Sequence, residues 1–401
     1  MSPKSKTRKK KPSRRPREER SQYAELLASA AGVADAPSPV VAEMWASEIL
    51  GSIWIAAWEH AGALDPQVAF SIETDRLLDH LAEQRVSSAL VALRALAGVG
   101  DEQIRERAAR LADKLAADGV PEPAWYTPDA SLEFVEANTV SDLFGDQESI
   151  AIDFRRGDER YTIMFLVESV FGISGIRLFN TPAEGIDALV RDMIESTEDT
   201  FRDEIRHLTA DEAWEKVAPS LEELLDEEPD DEARAALFTD EGEHPITELA
   251  LAQAWISVIE PDDLDDVDDP LELVAPVVQA FLASPHAQDL PDREAARLFA
   301  EIAAESAVDE GRNPDQYGPM SLSALLVAEF AMARHVSDDD LALFPGIVRA
   351  WAHFSSDHRS LPADETGAAW DEMLPSVLAD FERAYREPEM AAERTMSFRS
   401  S

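Results

Sequence analysis

Apolar residues recur at helical spacing along most of this chain, and over one stretch near its middle they alternate instead. The best-marked helix opens at Asp101, a residue type that caps helices. It carries Ile104, Ala108, Leu111 and Leu115 at i, i+4, i+7 and i+11 before Gly119 and Pro121 stop it. Gly98-Val99-Gly100 separates it from a helix expected over Val86–Ala97, so the two should form a hairpin. The cleanest apolar run, Ile49–Trp58 (ILGSIWIAAW), is flanked by Glu43, Glu48 and Glu59. It is shorter than the ~20 residues of a membrane span and reads as a buried helix. Trp45, Trp54 and Trp58 in and beside it read as core packing rather than as an aromatic ligand cage.

From Ser149 the period becomes two. Ile150, Ile152 and Phe154 face one way, and Ala151, Asp153 and Arg155 the other. Gly157-Asp158 makes a turn, Tyr161–Val167 (YTIMFLV) returns apolar on both faces, and Gly175–Asn180 is a third candidate strand. The two-faced second strand is expected at the centre of the sheet. Thr181 and Pro182 then suit the cap and first position of a helix to about Glu195.

After Phe201 the helical period returns, broken by acidic loops. Asp289 and Pro291 should open a helix with the stripe Ala295, Leu298, Phe299 and Ile302, ended by Gly311. Ala324–Ala333 (ALLVAEFAMA) is apolar nearly all round and reads as a core helix. Ser337 suits a cap before Phe344, and Ile347, Val348, Trp351 and Phe354 form the next apolar face. Pro375 should break or kink the last long helix, whose face resumes at Leu378, Phe381 and Tyr385.

The fold class expected is α+β, mainly α-helical, with one small antiparallel sheet of about three strands over residues 149–180. The expected organisation is a disordered basic arm (1–37, with a short helix at Ser21–Ala31), a helical block (38–118) and a linker (119–130). A small sheet plus helix (131–200), a helical region packing with that sheet (201–388) and a flexible tail (389–401) complete it. The segment SIAIDFRRGDERYTIMFLVE with FGD just before it resembles part of an uncharacterised family of proteins from high-GC bacteria. So do the late segments FPGIVRAWAHFSSDHRSLP and AAWDEMLPSVLADFERAY. The resemblance covers about a third of the chain and implies an architecture; it implies no activity and no catalytic residues.

Charge adds what the pattern omits. The first 20 residues carry ten Lys or Arg against two acids, a net of +8. Taking these from the chain's −45 leaves −53 on the rest. Only Lys114 and Lys216 are lysines outside the arm, whereas five lysines crowd into Lys4–Lys11. The Arg-over-Lys bias fits high-GC codon usage, with a salt-loving host as the competing explanation, but codon bias alone does not produce the clustered lysines. Lys9, Lys10, Lys11, Arg14 and Arg15 are the candidate polyanion-binding residues. The stretch has no aromatic residue to stack on bases and two prolines that keep it extended, so it would track phosphates and read no sequence. The other reading is an acidic protein surface, the protein's own body included. The acidic runs Glu222–Glu232 and Asp262–Asp269 suit such docking and lack the Gly-centred spacing of a calcium loop.

The chain has no cysteine, which excludes disulfides, thiolate nucleophiles, thiolate zinc sites and Fe–S clusters, and fits a cytoplasmic location. No apolar segment of signal-peptide type follows Arg20. P-loop, G-x-G-x-x-G, G-x-S-x-G and H-E-x-x-H signatures are absent, and no cofactor is expected. His353, Asp357 and His358, with His335 and Asp338–Asp340 nearby, supply only two ligands to one helix face, too few for a metal. A di-iron site would need two Glu-x-x-His pairs; Glu204/His207 suits a helix, but Gly242 and Pro245 put Glu241/His244 in a loop. Asp153 and Glu168 are nuclease-type carboxylates without a nearby Lys. Glu329, inside the apolar helix, should have an Arg partner or lie at the core's edge, with a catalytic acid as the sharper alternative.

The sequence thus points to a soluble cytoplasmic binding or accessory protein with a basic arm on an acidic helical body. The alternatives are a nucleic-acid accessory protein using the same arm, and an enzyme with its site between the sheet and the C-terminal helices.

Overall fold

The computed structural model describes residues 15–60, 64–128, 131–196, 205–226, 228, 245–261, 270–332 and 341–386. The chain divides into two compact units, Met1–Asp129 and Ala130–Ser401.

The first unit is built from helices α1 (Arg15–Gly32), α2 (Pro39–His60), α3 (Pro66–Glu83), α4 (Ser87–Leu96) and α5 (Glu102–Ala117). Its centre is α4, buried from Ala89 to Leu96. Asp101 caps α5 as expected, its carboxylate accepting from Ile104 N at 2.8 Å, and Gly119 ends the region with φ +92°. Ile104, Ala108, Ala112 and Leu115 are buried, while Leu111 is half-buried.

The arm beyond Arg15 and the linker both pack on this body. Beyond Arg15 the arm is helix α1, which buries Ala30 and packs on α4; Ser29 accepts from the Trp45 indole at 2.8 Å. The linker folds back as well: Trp125 is buried and donates to Val33 O at 2.9 Å. Arg94, nearly buried, lies 4.0 Å from the Tyr126 ring centroid and pairs with Glu122 and Asp113. The apolar run of α2 is longer than the sequence reading had it. Over Pro39–Glu59 the helix is long and apolar enough to cross a membrane by length and composition. Here Val40, Trp45, Leu50, Trp54 and Ile55 are buried inside the unit.

The second unit is α+β and mainly helical, with one antiparallel sheet. Strands β1 (Leu132–Ser141), β2 (Gln147–Arg156), β3 (Glu159–Glu168), β4 (Gly172–Asn180) and β5 (Arg206–Leu208) lie in the order β4-β3-β2-β1-β5. There are five strands rather than three, and the centre is β2, not the YTIMFLV strand β3. The extra strand β1 is masked in sequence by a bulge between Phe134 and Glu136. Phe134 pairs with Phe154, but Ala137 pairs with Ile152, so the inward set shifts from even to odd positions.

Helix α6 (Ile186–Ser196) covers the Ala151 face, packing Ile186 and Val190 on Val140, Ala151 and Met164. Helices α7 (Ala210–Asp226) and α8 (Leu249–Ile256) serve the other face, where the Trp255 ring stands 5.4 Å from Phe154. Thr181 does not cap α6, which starts five residues later; its hydroxyl is taken by the buried Asp153 and by Thr162.

The C-terminal helices are α9 (Val274–Ala283), α10 (Pro285–Gln288), α11 (Arg293–Asp309), α12 (Pro319–Leu325), α13 (Phe344–His358) and α14 (Ala363–Arg386). Asp292, not Asp289, caps α11, and Leu298 is 49% exposed. The inward face there is Ala296, Phe299, Ala300, Ala303 and Ala307, because small residues let helices approach closely. The ALLVAEFAMA segment is π-helical from Leu326 to Met332; Phe330 and Ala331 are buried, Ala328 is exposed and Glu329 half-buried. Pro375 lies within α14, which continues through it.

Candidate functional site

The sheet meets the helices through the β1–β2 turn, Asp142-Leu143-Phe144-Gly145-Asp146. Asp142 closes the turn by accepting from the backbone N–H of Phe144 (3.1 Å), Gly145 and Asp146 (2.9 Å). Gly145 takes φ +77°, a left-handed conformation that favours glycine. Phe144 enters the core of the C-terminal helices, 4.7 Å from the Trp370 ring, and Arg359 donates to its carbonyl at 2.7 Å. Asp146 is buried and accepts from Met320 N (2.7 Å), the Ser321 hydroxyl (2.6 Å) and the Ser169 hydroxyl (3.2 Å). It therefore serves as N-cap for α12, where Gly318 has no side chain to do so. Burial and the neighbouring Asp146 push the Asp142 carboxyl up to about 6, against the three N–H donors that lower it. One oxygen of Asp142 is thus committed to the turn, and the group works as a fastener.

Four of the described histidines, all in the second unit, fall into three settings. His286 Nε2 on α10 donates to Asp357 Oδ2 on α13 at 2.7 Å, and its ring lies 6.1 Å from His353, nearly parallel. Burial, then the His286 charge, lowers the His353 pKa. His358 leaves this group and pairs with Asp315 at 2.6 Å. So His353 and Asp357 do share a face, joined by His286. Even so, among the described residues no group of three or more His, Cys, Asp or Glu has the arrangement to hold a metal.

His207 is the third. It lies on strand β5 rather than on a helix, directly across from Asn138 of β1. Its Nδ1 is 2.6 Å from Asn138 Oδ1, and Asn138 Nδ2 donates to Asp187 Oδ1 of α6 at 2.5 Å. Asn138 is fully buried, whereas His207 is exposed. Sequence reasoning missed this set because the bulge in β1 hides the strand that holds Asn138.

No protein-family model, curated protein or solved structure matches this chain. The likeness of its hairpin and late helices to a family from high-GC bacteria therefore rests on sequence pattern alone.

Other sequence candidates separate. Asp153 is fully buried and engaged by Arg160, Thr162 and Thr181. Glu168 pairs in register with Gln147, six residues along β2 from Asp153, or about 20 Å at 3.4 Å per residue. The two carboxylates cannot act on one substrate atom. Trp54 packs edge-on against Trp58 and Phe70, at 6.0 and 5.4 Å, as core aromatics do. Lys9, Lys10, Lys11 and Arg14 lie outside the described residues, as do Glu204, Glu241, His244, His335, Ser337, Asp338–Asp340 and Asp262–Asp269; Arg15 opens α1.

Proposed function

We propose that this protein works by binding, with the basic stretch Lys4–Arg20 docking on an acidic protein surface. The observation that carries the reading is the charge reversal, +8 on the first 20 residues against −53 on the rest. The packing of α1 on α4 supports it, because the stretch runs directly into a helix anchored on the first unit. A cysteine-free chain suits the reducing cytoplasm, where we place this activity.

The clustered lysines favour a second reading, contact with nucleic-acid phosphates. Fluorescence anisotropy with a labelled poly-glutamate peptide, DNA and RNA across a salt series separates the two. Intact protein is compared with a chain lacking residues 1–14, a cut that leaves α1 whole. Salt-sensitive binding of the acidic peptide that is lost on truncation is the expected result. Preference for DNA or RNA moves the second reading to first place, and no binding to any probe at low salt defeats both.

A further inference from the structure

Helix α10 is a short strap between α9 and α11, and a carboxylate within reach of two histidines ties it to α13. Of its four residues only Ala287 is buried, and His286 Nε2 supplies the side-chain tie, donating to Asp357 Oδ2 at 2.7 Å. Asp357 is also four residues on from His353 in α13, the spacing at which two side chains of one helix meet. The His286 ring lies over His353 at 6.1 Å, so a charge on both rings would be repulsive. Other charges around His353 are Arg349, one turn earlier, which disfavours its proton, and Asp371 on α14, 3.6 Å from Arg349, which favours it. Helix α9 carries no charged side chain, and on α11 Arg297 pairs with Glu294 and Glu301 while Arg293 donates to Leu282 O.

We propose that Asp357 is the shared carboxylate of a proton-operated catch: His286 holds it at neutral pH, His353 takes it when protonated, and α10 is then freed from α13. Burial and the His286 charge both oppose a proton on His353 while the strap is closed. Once His286 has moved off, the repulsion is gone and Asp357 is available to the new imidazolium. The open form therefore binds the proton more tightly than the closed one, and acid favours opening. The closed strap is fully held above the ordinary histidine value of 6.5 and loosens as pH falls below it. At pH 5.5 the opening equilibrium can rise by at most about tenfold, and about fivefold is expected. The strap follows Phe281, whose ring packs on Trp351 and Phe354, so its release loosens the rim of the C-terminal core.

Two measurements on the full-length protein test this. Amide hydrogen exchange is followed at Ala287 and Leu290, whose N–H groups donate to Ser284 O and Ala287 O. Rates are corrected for the intrinsic effect of pH and referred to the amides of β2, which removes any change in stability of the unit as a whole. Between pH 7.5 and 5.5 protection of the strap should fall about fivefold relative to β2, and His353→Gln should keep it. A relative fall of less than about twofold, or the same fall in His353→Gln, overturns the proposal. The second measurement needs no variant beyond those that assign the signals, His286→Gln and His353→Gln. Ring resonances of His286 should move at the titration midpoint of His353 as its carboxylate is taken away. His286 resonances that do not respond at that midpoint overturn the exchange of partners.

Discussion

Ser321 donates its hydroxyl to Asp146 Oδ1 at 2.6 Å across 175 positions of sequence, tying the turn of a β-hairpin to the first turn of a helix. A Cβ on Gly318 would collide with the Asp146 carboxylate and stand 2.5 Å from Phe144 Cβ. Gly318→Ala should therefore destabilise the second unit by about 1–3 kcal/mol, as overpacking does. Gly367→Ala, in α14 with nothing within 4 Å of the new methyl, should stabilise by up to ~1 kcal/mol. Urea denaturation of both variants checks the opposite signs.

Asp142 makes the second unit less stable as pH rises. Below about pH 4 its carboxyl is protonated in folded and unfolded chains alike. Between there and about 6 the unfolded chain ionises first, so folding loses stability. The shift from 3.8 to about 6 corresponds to a penalty on the order of 3 kcal/mol above pH 6. In Asp142→Asn the amide oxygen still accepts the three N–H groups without the charge. The variant should be more stable than the parent at pH 7.5 and equal to it near pH 4, by urea midpoints at the two pH values.

His353 has the reverse dependence. Its folded pKa is depressed, first by burial and then by the His286 charge, with Arg349 adding to the depression and Asp371 and Asp357 opposing it. Stability from this residue is present above the unfolded value of 6.5 and is lost as pH falls through the folded one. In the Asp142→Asn background, where the opposing slope is gone, thermal midpoints should fall from pH 7.5 to 5.5. His353→Gln should flatten that fall.

Trp351 and Trp370 are both fully buried, but only Trp370 has a hydrogen-bond partner, Ser356 Oγ at 2.8 Å. The Trp351 indole instead sits among Phe281, Phe354, Tyr317 and Phe299 at 5.1 to 6.2 Å. Each Trp→Phe change leaves a cavity of similar size, but Trp370→Phe also breaks a bond. Trp370→Phe should cost about 1 kcal/mol more than Trp351→Phe, measured by urea titration.

Periodicity in the sequence revealed the α4–α5 hairpin, the alternation of β2 and the mainly helical class, because each depends on residues close in the chain. It placed the sheet's centre wrongly because β1 switches phase at its bulge and reads as irregular. The packing of the linker was hidden for another reason: Trp125 and Tyr126 meet Val33 and Arg94 only in the folded chain. Of the candidate chemistry, the shared face of His353 and Asp357 was legible from an i, i+4 spacing, but His286 comes from another helix. Strand pairing joins Asn138 to His207, the packing of α6 on the sheet brings Asp187 to Asn138, and no local spacing encodes either.

The docking of the β1–β2 turn also has a consequence during synthesis. Strands β1 to β4 leave the ribosome together and can pair at once, but the helix that Asp146 caps is still to be made. At about 5–20 residues per second, the 175 positions to Ser321 take roughly 9–35 s. Throughout that interval Phe144 has no helical core to enter. The nascent hairpin therefore offers a hydrophobic hook beside an unsatisfied carboxylate, and is the point at which a chaperone would hold this chain.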